Sequence, residues 1–302
     1  MDGVLVIDKP AGLTSHDVVN RVRRILHERS VGHLGTLDPL ATGLLPLVVG
    51  RMTRLAQFYT ASEKTYEGVI RFGFATDTYD AEGEPLAEPQ IVKVTLEKLQ
   101  ALAARFRGRI QQTPPPFSAK KIHGVPAYKL ARKHREVELQ PVEVEIKEFE
   151  LLGWDGEQAH FRARVASGTY MRSVAHEMGA ILGCGAHLAA LRRTVLGEFS
   201  LADAHSLEEL DAAAQQGQAE DLFIHPRRLL PEMPSVTASE EIAARIRVGR
   251  AVNLPELSRA RQVKVFQGQS ELIAIATRVA GTLFHPKIVL VAEPQTTGSR
   301  AR

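Results

Sequence analysis

The chain has 302 residues, 44% of them apolar and 24% charged, with a net charge of +3. This is an ordinary soluble composition, long enough for one large domain plus a smaller one, and no stretch reaches the roughly 18 uncharged apolar residues of a membrane span. Cys184 is the single cysteine, which excludes intrachain disulfides and thiolate zinc sites and fits a cytoplasmic protein.

The opening MDGVLVIDKPAG lacks the basic start and long apolar run of a signal peptide and reads as a strand ending at a proline turn. Thr14 or Ser15 then caps a helix whose Val18, Val22, Ile25 and Leu26 share one face. Arg21, Arg23, Arg24 and Arg29 make a basic cluster on this early helix. The next stretch, GHLGTLDPLATGLLPLVVG at 32–50, is the most informative. It sets Asp38 between a glycine-rich approach and Pro39, which biases Asp38 towards extended backbone. The run LLPLVV reads as a buried strand behind it. An acid on a stiff loop above a core strand is a usual way to present a nucleophile or general base, although an isolated Asp-Pro is more often a turn initiator.

A short helix through RMTRLAQF, a strand over KTYEGVIRFGFAT, a polar turn in TDTYDAEGEP and a helix opened by Thr95 follow. Residues 105–135 then hold nine Lys or Arg and no acid. That segment carries +9, so against a total of +3 the remainder stands at −6. It also contains Phe106, Phe117, Tyr128 and the rigid TPPP, which argues for an excursion from the fold. Basic residues interleaved with aromatics suit a phosphate backbone and exposed bases. Two strands from 137 to 168 are joined by DGEQ, and Gly168 turns the chain into an amphipathic helix stopped at Gly183. Ser206 and Glu209 form a capping-box pattern. PEMPSV reads as a linker to a tail of one short helix and three strands, the size of a small β-barrel-like module.

KPAG, GHLGTLDPLATGLLP, KTY at 64–66, SGTYMRS at 167–173 and HLAALRRT together resemble the bacterial tRNA pseudouridine-55 synthases, from residue 3 to about 200. The resemblance implies an α+β fold with a mixed, mainly antiparallel sheet flanked by helices. It places a catalytic domain at 1–230, an RNA-gripping thumb at about 105–135, and a small β-rich, PUA-like RNA-binding module at 235–294. The implied partner is the tRNA T-arm, bound by a monomer without metal, membrane or cofactor. The reaction breaks the N1–C1′ bond of the T-loop uridine, turns the flipped base and joins C5 to C1′.

By the same resemblance Asp38 is the catalytic aspartate and Arg172 its ion-pair partner, a cation expected to lower the acid's pKa. Tyr66 would stack on the target uracil, with Tyr170 and Leu191 lining the base pocket. His33 would enter the space left by the flipped nucleotide. Lys9 and Asp80 fall at motif positions near the cleft and complete the implied substrate-binding set. Lys120, Lys121, Arg132 and Arg135 would contact RNA phosphates. Leu34 and Phe117 depart from the residues common at their positions.

Overall fold

The computed structural model describes residues 1–117, 139–255 and 259–291, together with the backbone of a short hairpin between the first two stretches. Chain order begins with strand β1 (Gly3–Lys9), helix α1 (Ser15–Ile25), β2 (Val31–His33), β3 (Thr42–Val49), a 3-10 turn at Gly50–Phe58 and β4 (Lys64–Phe72). Helix α2 (Leu96–Ala104), β5 (Gly108–Gln112), the hairpin β6 (Lys121–Ile122) and β7 (Val125–Pro126), β8 (Val142–Trp154) and β9 (Gln158–Val165) follow. Then come α3 (Met171–Leu182), β10 (Ala186–Leu196), β11 (Phe199–Ser200), β12 (Ala204–His205) and α4 (Leu207–Gln215). The C-terminal part holds β13 (Ser235–Ala238), α5 (Glu240–Arg247), β14 (Val252–Asn253), β15 (Gln262–Gln267), β16 (Glu271–Ala280) and β17 (Leu283–Val289).

The large sheet runs β12-β1-β3-β10-β4-β9-β8-β5, with β2 beside β3 and β11 beside β10. Among the described residues of this sheet only β1/β12 and β3/β10 pair in parallel, so it is mixed and mainly antiparallel as expected. A second sheet, β13-β15-β16-β17-β14, closes the chain. Helices α1 and α3 bury Val18, Val19, Val22, Met171, Val174, Ala175 and Met178 in the same core as β3, β4 and β9. Helices α1, α2, α4 and α5 each begin at a Thr or Ser whose hydroxyl accepts from one of the free amides of the first turn. Thr14 and Asp17 form a reciprocal box for α1, and Ser206 and Glu209 form the expected one for α4. Gly183 ends α3 at φ 73°, the left-handed conformation that glycine adopts without penalty.

Three readings of the sequence need correcting. The basic stretch is not wholly an excursion, because Gly108–Gln112 is the edge strand that pairs with β8. Phe106 is only 5% exposed and packs in the core, so it is not a ring offered to bases. The connection read as a linker at 231–236 is packed and not free. Leu229, Leu230 and Met233 share one apolar cluster with Val4, Val6, Leu44 and Val48 of the large sheet and Phe266, Ile275 and Ile288 of the second. Leu34 packs into that same cluster, which accounts for an apolar residue at its position. Lys120, Arg132 and Arg135 lie outside the described residues, and of Lys121 only the backbone is described.

Candidate active site

Strands β3, β10 and β4 lie at the centre of the large sheet. A cleft of about 480 Å³ opens over them, lined by Asp38, Tyr66, Tyr170, Arg172, Leu191 and His33 among others. Four separate stretches of chain therefore converge on one place. Strand β10 supplies Leu191 opposite Gly68 and Arg193 opposite Tyr66. Register shifts at Leu188/Ala190 and Arg193/Val195 re-aim its side chains along the way. Gly43 lets β10 and β3 approach this closely. It has φ +93°, and a Cβ there would sit 2.3 Å from the Arg193 carbonyl oxygen.

The peptides around Asp38 are held on every side. The Ser15 hydroxyl accepts from the Leu37 amide at 2.8 Å and donates to the Leu37 carbonyl at 3.0 Å. The Asp38 carbonyl accepts from Ala41 N at 3.1 Å, and the Pro39 carbonyl accepts from Gly12 N at 2.9 Å and from Lys9 Nζ at 3.2 Å. Lys9 is fully buried and also donates to the carbonyls of Pro10 and Leu13. Burial pulls its ammonium down to about 8. Arg193, likewise fully buried, donates to the carbonyls of Leu44, Thr36 and Gly35. Such a loop cannot drift, and a fixed carboxylate needs little reorganisation at the moment of reaction.

Arg172 enters from the first turn of α3. Gln112, at the end of β5, fixes that turn by accepting from Tyr170 N at 2.8 Å and donating to the Tyr170 carbonyl at 3.1 Å. Arg172 Nε lies 2.9 Å from Asp38 Oδ2, and Nη1 lies 3.5 Å from Asp80 Oδ2. The remaining donors go to the Thr78 and Phe117 carbonyls at 3.1 and 3.0 Å. The Arg172 and Asp80 side chains are each 5% exposed, whereas Asp38 keeps 37% of its side chain open to the cleft. Asp80 is itself held by the Thr78 hydroxyl at 2.6 Å and the Glu82 amide at 3.1 Å.

Burial pushes the Asp38 carboxyl up from its ordinary value, and Arg172 and Lys9 only partly oppose this because Asp80 adds a like charge. Arg172 exerts the expected lowering on Asp38, but desolvation outweighs it and the carboxyl ends above its ordinary value. The imidazole of His33 is moved down by burial and by Arg193, so it is neutral at pH 7. Its buried Nδ1 has no hydrogen-bond partner among the described residues.

Six of the residues singled out in the sequence meet at the cleft: His33, Asp38, Tyr66, Tyr170, Arg172 and Leu191. Lys9 and Asp80 do not line it. Both are buried, Lys9 donating to the Pro39 carbonyl of the Asp38 loop and Asp80 lying beside Arg172. Ser15, Gln112 and Arg193 are the positioning residues that sequence reading missed. Arg193 stood inside the HLAALRRT motif, and a basic residue amid a hydrophobic strand was the available signal.

A chain of a Cbf5-Nop10-Gar1 complex shares the fold at a TM-score of 0.71, covering 96% of this chain and 85% of that one at 24% identity. A family model described as TruB family pseudouridylate synthase, N-terminal domain, matches residues 23–171, and one for the tRNA pseudouridylate synthase B C-terminal domain matches 172–233. A tRNA pseudouridine synthase B of Solibacter usitatus (strain Ellin6076) is 50% identical over 96% of this chain and all of its own length. One of Aquifex aeolicus (strain VF5) is 41% identical over the same shares. The fold is therefore that of an RNA-base isomerase. The chain belongs to the TruB family of pseudouridylate synthases, which turn uridine into pseudouridine.

Proposed function

We propose that this chain isomerises the T-loop uridine at position 55 of tRNA, with Asp38 as the nucleophile. The relatives that carry the name tRNA pseudouridine synthase B support the substrate class. One observation carries the assignment of Asp38. It is the carboxylate lining the cleft, clamped through its neighbouring peptides and paired to Arg172 at 2.9 Å.

The chemistry follows from that arrangement. The uridine leaves its stack at a cost of a few kcal/mol, and His33, which lines the cleft, takes up the vacated space. Tyr66 lies against the ring, with Leu191 and Tyr170 as further walls. The ionised Asp38 then adds to C6 of the uracil, attacks C1′, or removes the C2′ proton. Each route needs a carboxylate whose charge is kept by Arg172 in a site closed to most water. The glycosidic bond breaks, the base turns, C5 bonds to C1′ and gives up its proton, and the freed N1 takes one up, so atoms are conserved and no external reductant or oxidant is consumed. The basic segment at 105–135 supplies phosphate contacts through Lys120, Lys121, Arg132 and Arg135, and residues 235–294 extend the RNA-binding surface.

The test is incubation with unmodified tRNA followed by position-resolved pseudouridine mapping. Wild type should modify the single T-loop position, and Asp38→Asn should bind tRNA without modifying it. Free uracil in the products would instead indicate a glycosylase.

A further inference from the structure

The cleft differs in charge balance between two of its cationic groups. Arg172 faces two carboxylates, Asp38 at 2.9 Å and Asp80 at 3.5 Å. Among the described residues Lys64 faces none. It opens β4 two residues before Tyr66, so both side chains stand on the same face of the strand, and both line the cleft. Its ammonium donates to the Ser62 carbonyl at 3.0 Å. Behind it stands Arg193, which donates to three carbonyls and to no carboxylate among the described residues. The two cations meet at Gly35, where a Cβ would lie 3.4 Å from Arg193 Nη1 and 3.6 Å from Lys64 Cε.

The acids close in sequence are committed elsewhere. Glu63 pairs with Lys147 and Arg164, and Glu198 accepts from the Tyr59 hydroxyl and the Leu230 amide. Arg193 on β10 is the charged group that acts on Lys64, and His33 on β2, lining the same cleft, is shifted towards its neutral form. Thr60 and Gln57, just before Lys64, add polar lining to the same cleft. Two partly desolvated cations without a counter-ion are costly, and an incoming anion removes that cost. Burial and Arg193 pull the Lys64 ammonium down to about 8, in keeping with an unneutralised pair.

We propose that Lys64, backed by Arg193, is a phosphodiester subsite inside the cleft that holds the RNA backbone beside the flipped uridine. This rests on the reading of the cleft as the uridine site. It differs from the surface contacts of the basic segment because one particular phosphate is gripped next to the reacting sugar.

The experiment is a double-mutant cycle in binding. A T-arm stem-loop carries a single uncharged methylphosphonate at each phosphate around the target in turn, and Kd is measured for wild type, K64Q and K64R. Charged hydrogen bonds of this kind should make neutralising the one gripped phosphate cost wild type roughly tenfold in Kd. K64Q should lose about the same with unmodified RNA and lose nothing more on that methylphosphonate. K64R, which keeps a cation, should retain the wild-type sensitivity and show that folding is intact. The slope of log Kd against log salt should fall by about 0.7–0.9 in K64Q. Wild-type affinity should also weaken more steeply than that of K64R as pH rises through and above 8, because binding takes up a proton at Lys64, whereas Lys9, also near 8, titrates in both. If every methylphosphonate costs K64Q as much as it costs wild type, the subsite is refuted. Pseudouridine formation by wild type on the unmodified stem-loop is scored separately. Its absence counts against the uridine reading, and its presence without coupling at Lys64 counts against the subsite alone.

Discussion

Replacing Asp38 by Asn should abolish turnover and yet leave the protein as stable as wild type, or more so, at neutral pH. Burial raises the Asp38 carboxyl above its ordinary 3.8 despite Arg172. A carboxyl raised in the folded state binds its proton more tightly there than in the unfolded chain. Its favourable contribution is complete below the unfolded value and is lost as pH rises through the folded one. At pH 7 wild type therefore carries a fixed penalty that the Asp38→Asn variant lacks. Arg172 is not orphaned by the change, since Asp80 and the Thr78 and Phe117 carbonyls remain. Active-site groups trade stability for function, and single stabilising replacements commonly gain about 0.5–2 kcal/mol. With 37% of the Asp38 side chain exposed, screening places the gain at the lower end. For a chain of this size that is a rise of about 1–2 °C in Tm. Paired thermal melts of wild type and Asp38→Asn from pH 4 to 8 measure it, and the gap should close towards the acid end. A loss of more than about 1 kcal/mol at pH 7 would show that the ion pair outweighs burial and would refute the reasoning.

Other consequences can be measured independently. Turnover should fall with decreasing pH at a point above that of an ordinary carboxylate. Asp80→Asn should move that limb to lower pH in a kcat–pH profile by removing the like charge. Ser15→Ala deletes both bonds to the Leu37 peptide, so kcat should drop more than KM changes, at a stability cost of about 1–3 kcal/mol seen in urea unfolding. Gly43→Ala meets the Arg193 carbonyl at 2.3 Å with φ +93°, and should cost at least about 3 kcal/mol in the same assay or fail to fold. Neutralising Lys120, Lys121 and Arg132 together should weaken tRNA binding and flatten its salt dependence in filter-binding titrations.

The elements were legible wherever local chemistry decides them. Thr14, Ser206 and Gly183 announce helix ends by their own backbone chemistry, and the alternation in β8 and β9 records which face meets the core. Asp38, Tyr66, Tyr170, Arg172, Leu191 and His33 could be gathered because each sits in a motif. What the sequence hid depends on three-dimensional neighbours. Gly108–Gln112 looked like part of a basic excursion because its partner, β8, lies about thirty residues further on. The raised carboxyl of Asp38 was missed because a counter-ion can be read from a motif, whereas desolvation requires the walls around it. Ser15 read as one of two possible caps. Once Thr14 takes the cap, Ser15 is free to turn inward and hold Leu37. The apparent linker at 231–236 is rich in proline, and only the packed structure shows Leu230 and Met233 joining two sheets.

On the proposed function, Asp38, in this clamped and arginine-paired setting, isomerises one uridine of the tRNA T-loop. Its most direct test is position-resolved pseudouridine mapping of unmodified tRNA after incubation with wild type or Asp38→Asn at matched, saturating protein. Wild type should convert the T-loop uridine completely and the variant not at all, with tRNA affinity retained in both. Conversion by Asp38→Asn, or pseudouridine at some other position in the wild-type reaction, would contradict it.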